Sequence, residues 1–378
     1  MRYFAKRLFD GLNFKSNQII TVKNHKIVSI EQSSPDNTDE ADILLSGLVA
    51  PGFIDVQVNG GGGKLFNNEP SLDTLKTMSR AHQTFGTTAM LPTLITDSLV
   101  TMELAANAVS LALKNKVPGI IGIHFEGPHL SSPKKGIHPE SHIRPISEKE
   151  LAIFKRKDLG VVCITLAPEN VSCDVIKELV SAGVKVCLGH SNASVEQTLA
   201  AIDTGSTGFT HLYNAMSPLT SRAAGMVGAA LLRDEAYCGL IVDHEHVDKV
   251  SCQLAIKCKT SKKLMLVTDA MSHVGSNQTS LTFAGMEISR TGNKLTIEGG
   301  RLAGSALDMA TAVRNTVTNL DTPLDQTLQM ASSTPAKFIE LHHNKGQLSE
   351  GYDADWVVLT DDFHVTQTYI GGEQVFSI

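Results

Sequence analysis

Residues capable of chemistry stand where apolar runs of this chain end. Glu126 closes GIIGIHFE, His190 closes VKVCLGH, His211 sits in GFTHL and Asp269 closes KLMLVTD. Glu126, His190 and His211 offer one carboxylate oxygen and two imidazole nitrogens. Three protein ligands plus a water make a catalytic site of the zinc type. Each residue alone also has a plain reading, since a strand-end histidine is commonly satisfied by a hydrogen bond. Asp269 lies in LMLVTDAM, and burying an unpaired carboxylate is costly. It is either half of a structural ion pair or a general base facing an activated water. His138, in KKGIHPE, lies on a loop that could reach over the same groups.

A second set of residues suits an anion. THLYNAM carries Asn214 and Ala215 and is followed by Arg222, Gly225 and Gly228. Amide donors and a guanidinium fork together suit a phosphate. DHEHVD adds His246, and GGRLAGSAL is a glycine-rich stretch that could bring backbone close to a ligand. The competing reading of Arg222 is a solvated surface charge. His25, His82, His342, His343 and His364 read as structural or surface residues, and His124 as a hydrogen-bonded barrel-interior residue.

These residues must be positioned by eight apolar segments, at 53–58, 88–95, 119–126, 161–167, 184–190, 208–212, 238–243 and 263–269. Most are separated by amphipathic helical patterns. Ser71 caps one pattern that stops at Gly86, and Ser194 with Gln197 has capping-box spacing before another that stops at Gly205. The alternation predicts a (β/α)8 TIM-type barrel, whose strand C-termini form the rim where barrel enzymes place their chemistry. A doubly wound open sheet is the alternative, but no GxGxxG follows a first strand. Residues 1–50 and 345–378 are strand-like and turn-rich, with turns at Asn24-His25 and Gly371-Gly372. They predict a small β-sandwich domain built from both termini around a barrel at 51–344.

The 378 residues carry a net charge of −6, with 33 Lys and Arg against 39 Asp and Glu, which disfavours a nucleic-acid partner. No apolar run approaches the length of a membrane helix. The basic N-terminus lacks the apolar core of a signal peptide. Six cysteines without a CxxC pair read as reduced thiols in a cytoplasmic protein.

Taken in order, PGFIDVQVNG, LPTLIT, HFEGPH, KKGIH, LAPE, GHSNA, THLYNAM, DHEHVD, VTDAM and LAGSAL resemble the N-acetylglucosamine-6-phosphate deacetylase family of the amidohydrolase superfamily. The resemblance runs from about residue 51 to 308 and extends to the β-rich ends. It implies a metal-dependent barrel with a small β-sandwich domain, usually a homodimer, that hydrolyses the acetamide of a sugar phosphate. By motif it makes Glu126, His190 and His211 the metal ligands, Asp269 the acid/base and His138 the contact to the acetamide. It gives substrate contacts to Ile137, Asn214, Ala215, Arg222 and His246, and to Leu302, Ala303 and Gly304. Arg222 and His246 can belong to the neighbouring subunit's site in such a dimer.

The sequence departs from the wider superfamily in two ways. The first strand carries Gln57 and Asn59 where many members have two histidines, and LAPE has no bridging lysine. Amide oxygens are poor transition-metal ligands. One divalent ion per subunit follows, with zinc preferred over iron, manganese, cobalt or nickel, and with Gln57 and Asn59 lining the water side. His244 stands where the resemblance expects a small residue. The rival substrate is N-acetylgalactosamine 6-phosphate, epimeric at C4. A cyclic-amide hydrolase or nucleobase deaminase fits the motifs less well, and a silent sugar-phosphate-binding relative would not need Asp269 beside a complete ligand set.

Overall fold

The N-terminal β-rich segment folds as β1 (Arg2–Phe9), β2 (Phe14–Lys23), β3 (Lys26–Gln32) and β4 (Ile43–Pro51). The computed structural model describes residues 1–34 and 41–378. β2 and β3 meet at Asn24 and His25, both left-handed (φ 51° and 63°), the geometry a two-residue hairpin loop requires. β1 pairs antiparallel with β2 and parallel with β4.

From β4 the chain enters eight parallel strands: β5 (Phe53–Val58), β6 (Thr87–Ile95), β7 (Gly122–Glu126), β8 (Val161–Leu166), β9 (Lys185–Leu188), β10 (Gly208–Phe209), β11 (Tyr237–Leu240) and β12 (Leu264–Leu266). They hydrogen-bond in sequence order. All of β5 and β6 is buried, as expected of strands covered on both faces. The ring closes just beyond β12, where the Asp269 amide donates to Gln57 O at 3.0 Å and the Asn59 amide to Ala270 O at 2.9 Å. The predicted barrel is therefore present.

Helices return the chain between strands, and their capping follows the sequence signals. Ser71 accepts from the Thr74 amide at the head of Leu72–Gln83, and Ser194 and Gln197 form a full capping box before Val195–Asp203. Gly86 leaves the first of these helices at φ 84°, and a Cβ there would stand 2.9 Å from the Phe53 ring and from Val357. Two constraints, backbone sign and close approach, thus fix glycine where the barrel meets the terminal sheet.

Several strands stop earlier than predicted. The segment at 208–212 keeps strand geometry only at Gly208–Phe209, and 184–190 and 263–269 end at Leu188 and Leu266. His190, His211 and Asp269 adopt left-handed backbone, with φ of 47°, 34° and 52°. Each of these residues stands two or three positions beyond its strand's end. Non-glycine residues at such angles are uncommon and cluster at functional sites.

A three-stranded antiparallel insert, β13 (Ser280–Phe283), β14 (Met286–Thr291) and β15 (Lys294–Thr296), was not anticipated. Its Phe283, Ile288 and Leu295 pack with Ile95, Ile137 and Met271 above the rim. The chain ends in β16 (Trp356–Leu359), β17 (Val365–Ile370) and β18 (Glu373–Ser377). These extend the N-terminal strands into one seven-stranded sheet ordered β18-β17-β16-β4-β1-β2-β3. One face supplies Phe9, Leu48 and Val357 to the barrel core. The other folds over its own core, where the Trp356 ring lies 4.9 Å from both Tyr3 and Tyr369.

Candidate active site

Glu126 leaves the end of β7, His190 follows β9 and His211 follows β10. His190 Nε2 is 3.2 Å from Glu126 Oε1, His211 Nε2 is 3.0 Å from the same oxygen, and the two imidazole nitrogens are 3.0 Å apart. All three residues are buried. His190 Nδ1 donates to Lys134 O at 2.8 Å, which leaves a lone pair on Nε2. A lone pair therefore faces a carboxylate oxygen and a second imidazole nitrogen, an arrangement that a cation at its centre would satisfy. Ligands about 2.0–2.2 Å from a tetrahedral zinc stand roughly 3.3–3.6 Å apart, so the observed triangle fits a small divalent ion with slight expansion.

His138 also approaches, with Nε2 3.9 Å from Glu126 Oε2, and its ligand atom lies within 4.8 Å of those of Glu126 and His190. His211 is the better third ligand on two grounds. It is nearer, and its Nε2 points into the triangle. His138 Nδ1 instead accepts from the Thr96 amide at 3.3 Å and lies 2.8 Å from the Thr96 hydroxyl. The ring hydrogen is thereby on Nε2, which makes this nitrogen a donor into the cleft. Burial pulls the His138 pKa well below the ordinary histidine range, and the neighbouring His190 adds to it. A neutral, donating ring results.

Asp269 faces the triangle from the other side. Its Oδ1 accepts from Asn59 Nδ2 at 2.7 Å and from Gln57 Nε2 at 3.1 Å. Gln57 Nε2 also lies 3.1 Å from Glu126 Oε1. Burial pushes the Asp269 pKa up to about 6, and the Glu126 charge adds to this against the pull of His211 and the Asn59 hydrogen bond. Burial also raises Glu126, but its close contacts with the His190 and His211 imidazoles outweigh that and hold it well below the usual carboxylate range. Two nearby carboxylates thus have separated proton affinities, the pattern that divides ligand from proton carrier.

These groups open into a cleft of about 320 Å³. Ile137, Asn214, Ala215 and His246 line it, together with Leu302 and Gly304. Ala303 is fully buried beneath the lining, and Gln57 acts from behind Asp269. His246 lines the cleft of its own chain. It is fixed there by Asp243, whose Oδ2 takes the Nδ1 hydrogen at 2.6 Å. His244 faces away, 2.8 Å from Asn319 Nδ2. Arg222 is exposed and does not line the cleft. His124 takes the predicted interior role, with its ring nitrogens on Val56 O and Thr165 Oγ1.

Sequence reasoning missed Ile95, Gly136, Ile241 and Arg301 in the cleft wall. Gly136 lies inside KKGIH and Ile241 stands two residues before DHEHVD, so proximity to these motifs could have found them. Ile95 closes β6, so strand-end proximity could have found it. Arg301 is brought in by the unanticipated insert, for which the alternating LTFAGMEISRTGNKLTI was the available signal.

A profile of the amidohydrolase family matches residues 48–375. A protein of Shewanella sp. (strain ANA-3) named N-acetylgalactosamine-6-phosphate deacetylase is 53% identical over 333 residues, 88% of this chain and 84% of that one. The N-acetylglucosamine-6-phosphate deacetylase of Vibrio furnissii is 32% identical over 378 residues, 98% of this chain and 94% of that one. The crystal structure of N-acetylglucosamine-6-phosphate deacetylase from Pasteurella multocida superposes with a TM-score of 0.94 at 36% identity, covering 99% of this chain and 98% of that chain.

Proposed function

The chain belongs to the amidohydrolase family, and from that premise we propose that it hydrolyses the acetamide of N-acetyl-D-glucosamine 6-phosphate to D-glucosamine 6-phosphate and acetate. The observation that carries this reading is the convergence of Glu126, His190 and His211 beside Asp269, a buried carboxylate whose pKa is pushed up to about 6. The relatives named for this activity support the substrate class.

Glu126, His190 and His211 would hold one divalent ion, zinc by preference for two imidazoles and a carboxylate. Such an ion, when bound, acts as a Lewis acid and lowers the pKa of water to near neutrality. Asp269 accepts the proton of the attacking water through its carboxylate and then delivers it to the amide nitrogen as the C–N bond breaks. His138 donates from Nε2 to the carbonyl oxygen as negative charge grows there. Gln57 and Asn59 orient Asp269. Asn214, the Ala215 backbone, Ile137 and the Leu302 to Gly304 segment bind the sugar, and His246 contacts it from the cleft wall. Binding energy from the remote phosphate orients the acetamide.

We also assign residues 1–50 and 345–378 to one β domain and 51–344 to the catalytic barrel. A homodimer in which Arg222 reaches the neighbouring cleft accounts for its exposure. No helix among the described residues is long and apolar enough to cross a membrane. We place the chain in the cytoplasm, a reading supported by six sparse cysteines without a CxxC pair.

A second reading is favoured by the Shewanella relative, whose name specifies the galacto epimer. Acetate release from both 6-phosphorylated N-acetylhexosamines and both unphosphorylated sugars tests the proposal. The ratio of kcat/KM for the two phosphates decides the epimer. Absence of acetate from all four sugars in metal-loaded protein would refute the deacetylase reading.

A further inference from the structure

Among the described residues, Arg301 is the only lysine or arginine lining the cleft that holds Glu126 and Asp269. The rest of the wall is apolar, amide, carboxylate or imidazole. Its guanidinium has no ion pair or hydrogen bond among the described residues, although the side chain is exposed and arginines around it, such as Arg290, are engaged. An unpaired guanidinium at the mouth of a cleft is a ready fork for a phosphate.

The backbone holds it there. Arg301 O accepts from the Ile297 amide at 3.0 Å, and Leu302 bridges back to Thr296 at the base of the insert. Four residues on, the Ser305 amide donates to Asp269 O at 3.0 Å. The segment from 301 to 305 is thus tied at one end to the insert and at the other to the proton-carrying aspartate. Four residues span at most about 13–14 Å, which keeps Arg301 and Asp269 on one cleft, where a hexosamine could set its acetamide at Asp269 and its C6 substituent toward the guanidinium.

The charge pattern gives the direction. Arg301 also borders an outer cavity, and there the ionisable neighbours are Glu287 and Glu298. Those carboxylates do not line the inner cleft. The inner cleft holds two carboxylates of its own, Glu126 and Asp269, but these are engaged by His211, Gln57 and Asn59, so the inner side is the one on which an anion at the guanidinium meets carboxylates already partnered.

We propose that Arg301 is a phosphate-binding residue supplied by the same chain as Asp269, so that part of the selectivity for 6-phosphorylated sugars is built into each subunit. This rests on the deacetylase reading above. It differs from the assignment to Arg222, whose side chain does not reach this cleft.

The test compares wild type, Arg301→Gln and Arg301→Lys on the 6-phosphorylated and unphosphorylated N-acetylhexosamines, with inorganic phosphate as competitive inhibitor. Losing one charge-assisted contact should raise KM for the phosphorylated sugar by about 10- to 100-fold, with kcat little changed. Inhibition by phosphate should weaken in parallel, activity on the unphosphorylated sugar should stay near wild type, and lysine should restore part of the loss. Because the side chain is exposed, an unchanged melting temperature should accompany these effects. Unchanged KM for the phosphate in Arg301→Gln, or equal losses on both sugars, overturns the assignment. A wild type that turns over no sugar overturns the deacetylase reading instead.

Discussion

Asn59 donates through Nδ2 to Oδ1 of Asp269 at 2.7 Å, so the first barrel strand spends its side chain on the proton carrier. Gln57 does the same and also donates to Glu126. Amide nitrogens turned toward two carboxylates cannot act as ligands, which leaves one triangle of donors. Metal analysis of protein purified without added metal should find about one tightly held divalent ion per chain. Two stoichiometric ions of equal retention would contradict this. Glu126→Gln should lose the ion, because it removes the only anionic ligand of the triangle.

Asp269 must be ionised to accept a proton. Its pKa is pushed up to about 6 by burial and by the Glu126 charge, and a cation bound by the triangle draws it down from there. The acidic limb of kcat/KM should therefore fall at about pH 6 or lower, with activity present above it and lost as pH drops. Asp269→Asn should keep the fold and the metal while losing roughly 10²–10⁴-fold or more in turnover. Near-normal turnover in that variant would assign the proton transfer to another group.

The convergence of Glu126, His190, His211 and Asp269 was legible because a parallel barrel sends every strand C-terminus to one rim. A run of apolar residues ending in a polar one therefore reports position as well as chemistry. What the linear pattern hid was the direction of loops. Arg222 follows the right motif but points outward, whereas Arg301 follows an insert whose strands fold back over the rim. Nothing in the spacing alone distinguishes these two arginines. Strand ends were overrun for a related reason. The left-handed turns fall on His190, His211 and Asp269 themselves, non-glycine residues that do not announce such a backbone in the sequence.

Asp243 fixes His246 through a buried contact of 2.6 Å, and its Oδ1 accepts the amides of Glu245 and His246, each at 2.9 Å. Burial raises this carboxyl, but the His246 hydrogen bond and charge outweigh it and hold the pKa below its ordinary 3.8. Asp243→Asn should lose roughly 1–3 kcal/mol of stability at neutral pH. It should also raise KM more than it lowers kcat, since His246 loses a fixed tautomer while the reacting groups stay in place. The sign of the pH dependence follows from the lowered folded-state value. The stabilisation is present above about pH 4 and fades as pH falls through the lower folded pKa, so denaturation curves of wild type and variant should converge there. A stability gap that widens in acid would rule this linkage out.

The exposed Arg222 makes the last prediction one about assembly. If it serves a neighbouring cleft, Arg222→Ala should cost about 1.5–3 kcal/mol in binding the phosphorylated sugar and change little with the unphosphorylated one. The loss should appear only in the assembled protein. Mixing an Arg222→Ala chain with an Asp269→Asn chain then separates the two geometries. In a mixed dimer one cleft has an intact Asp269 and receives an intact Arg222 from its partner. Activity should therefore rise above that of either variant alone once subunit exchange is verified by mass or by tag capture. Arg301 is intact in both chains, so recovery on mixing reports on Arg222 alone. Exchange without recovery would keep any phosphate effect of Arg222 within its own chain and remove the need for a second subunit at the site.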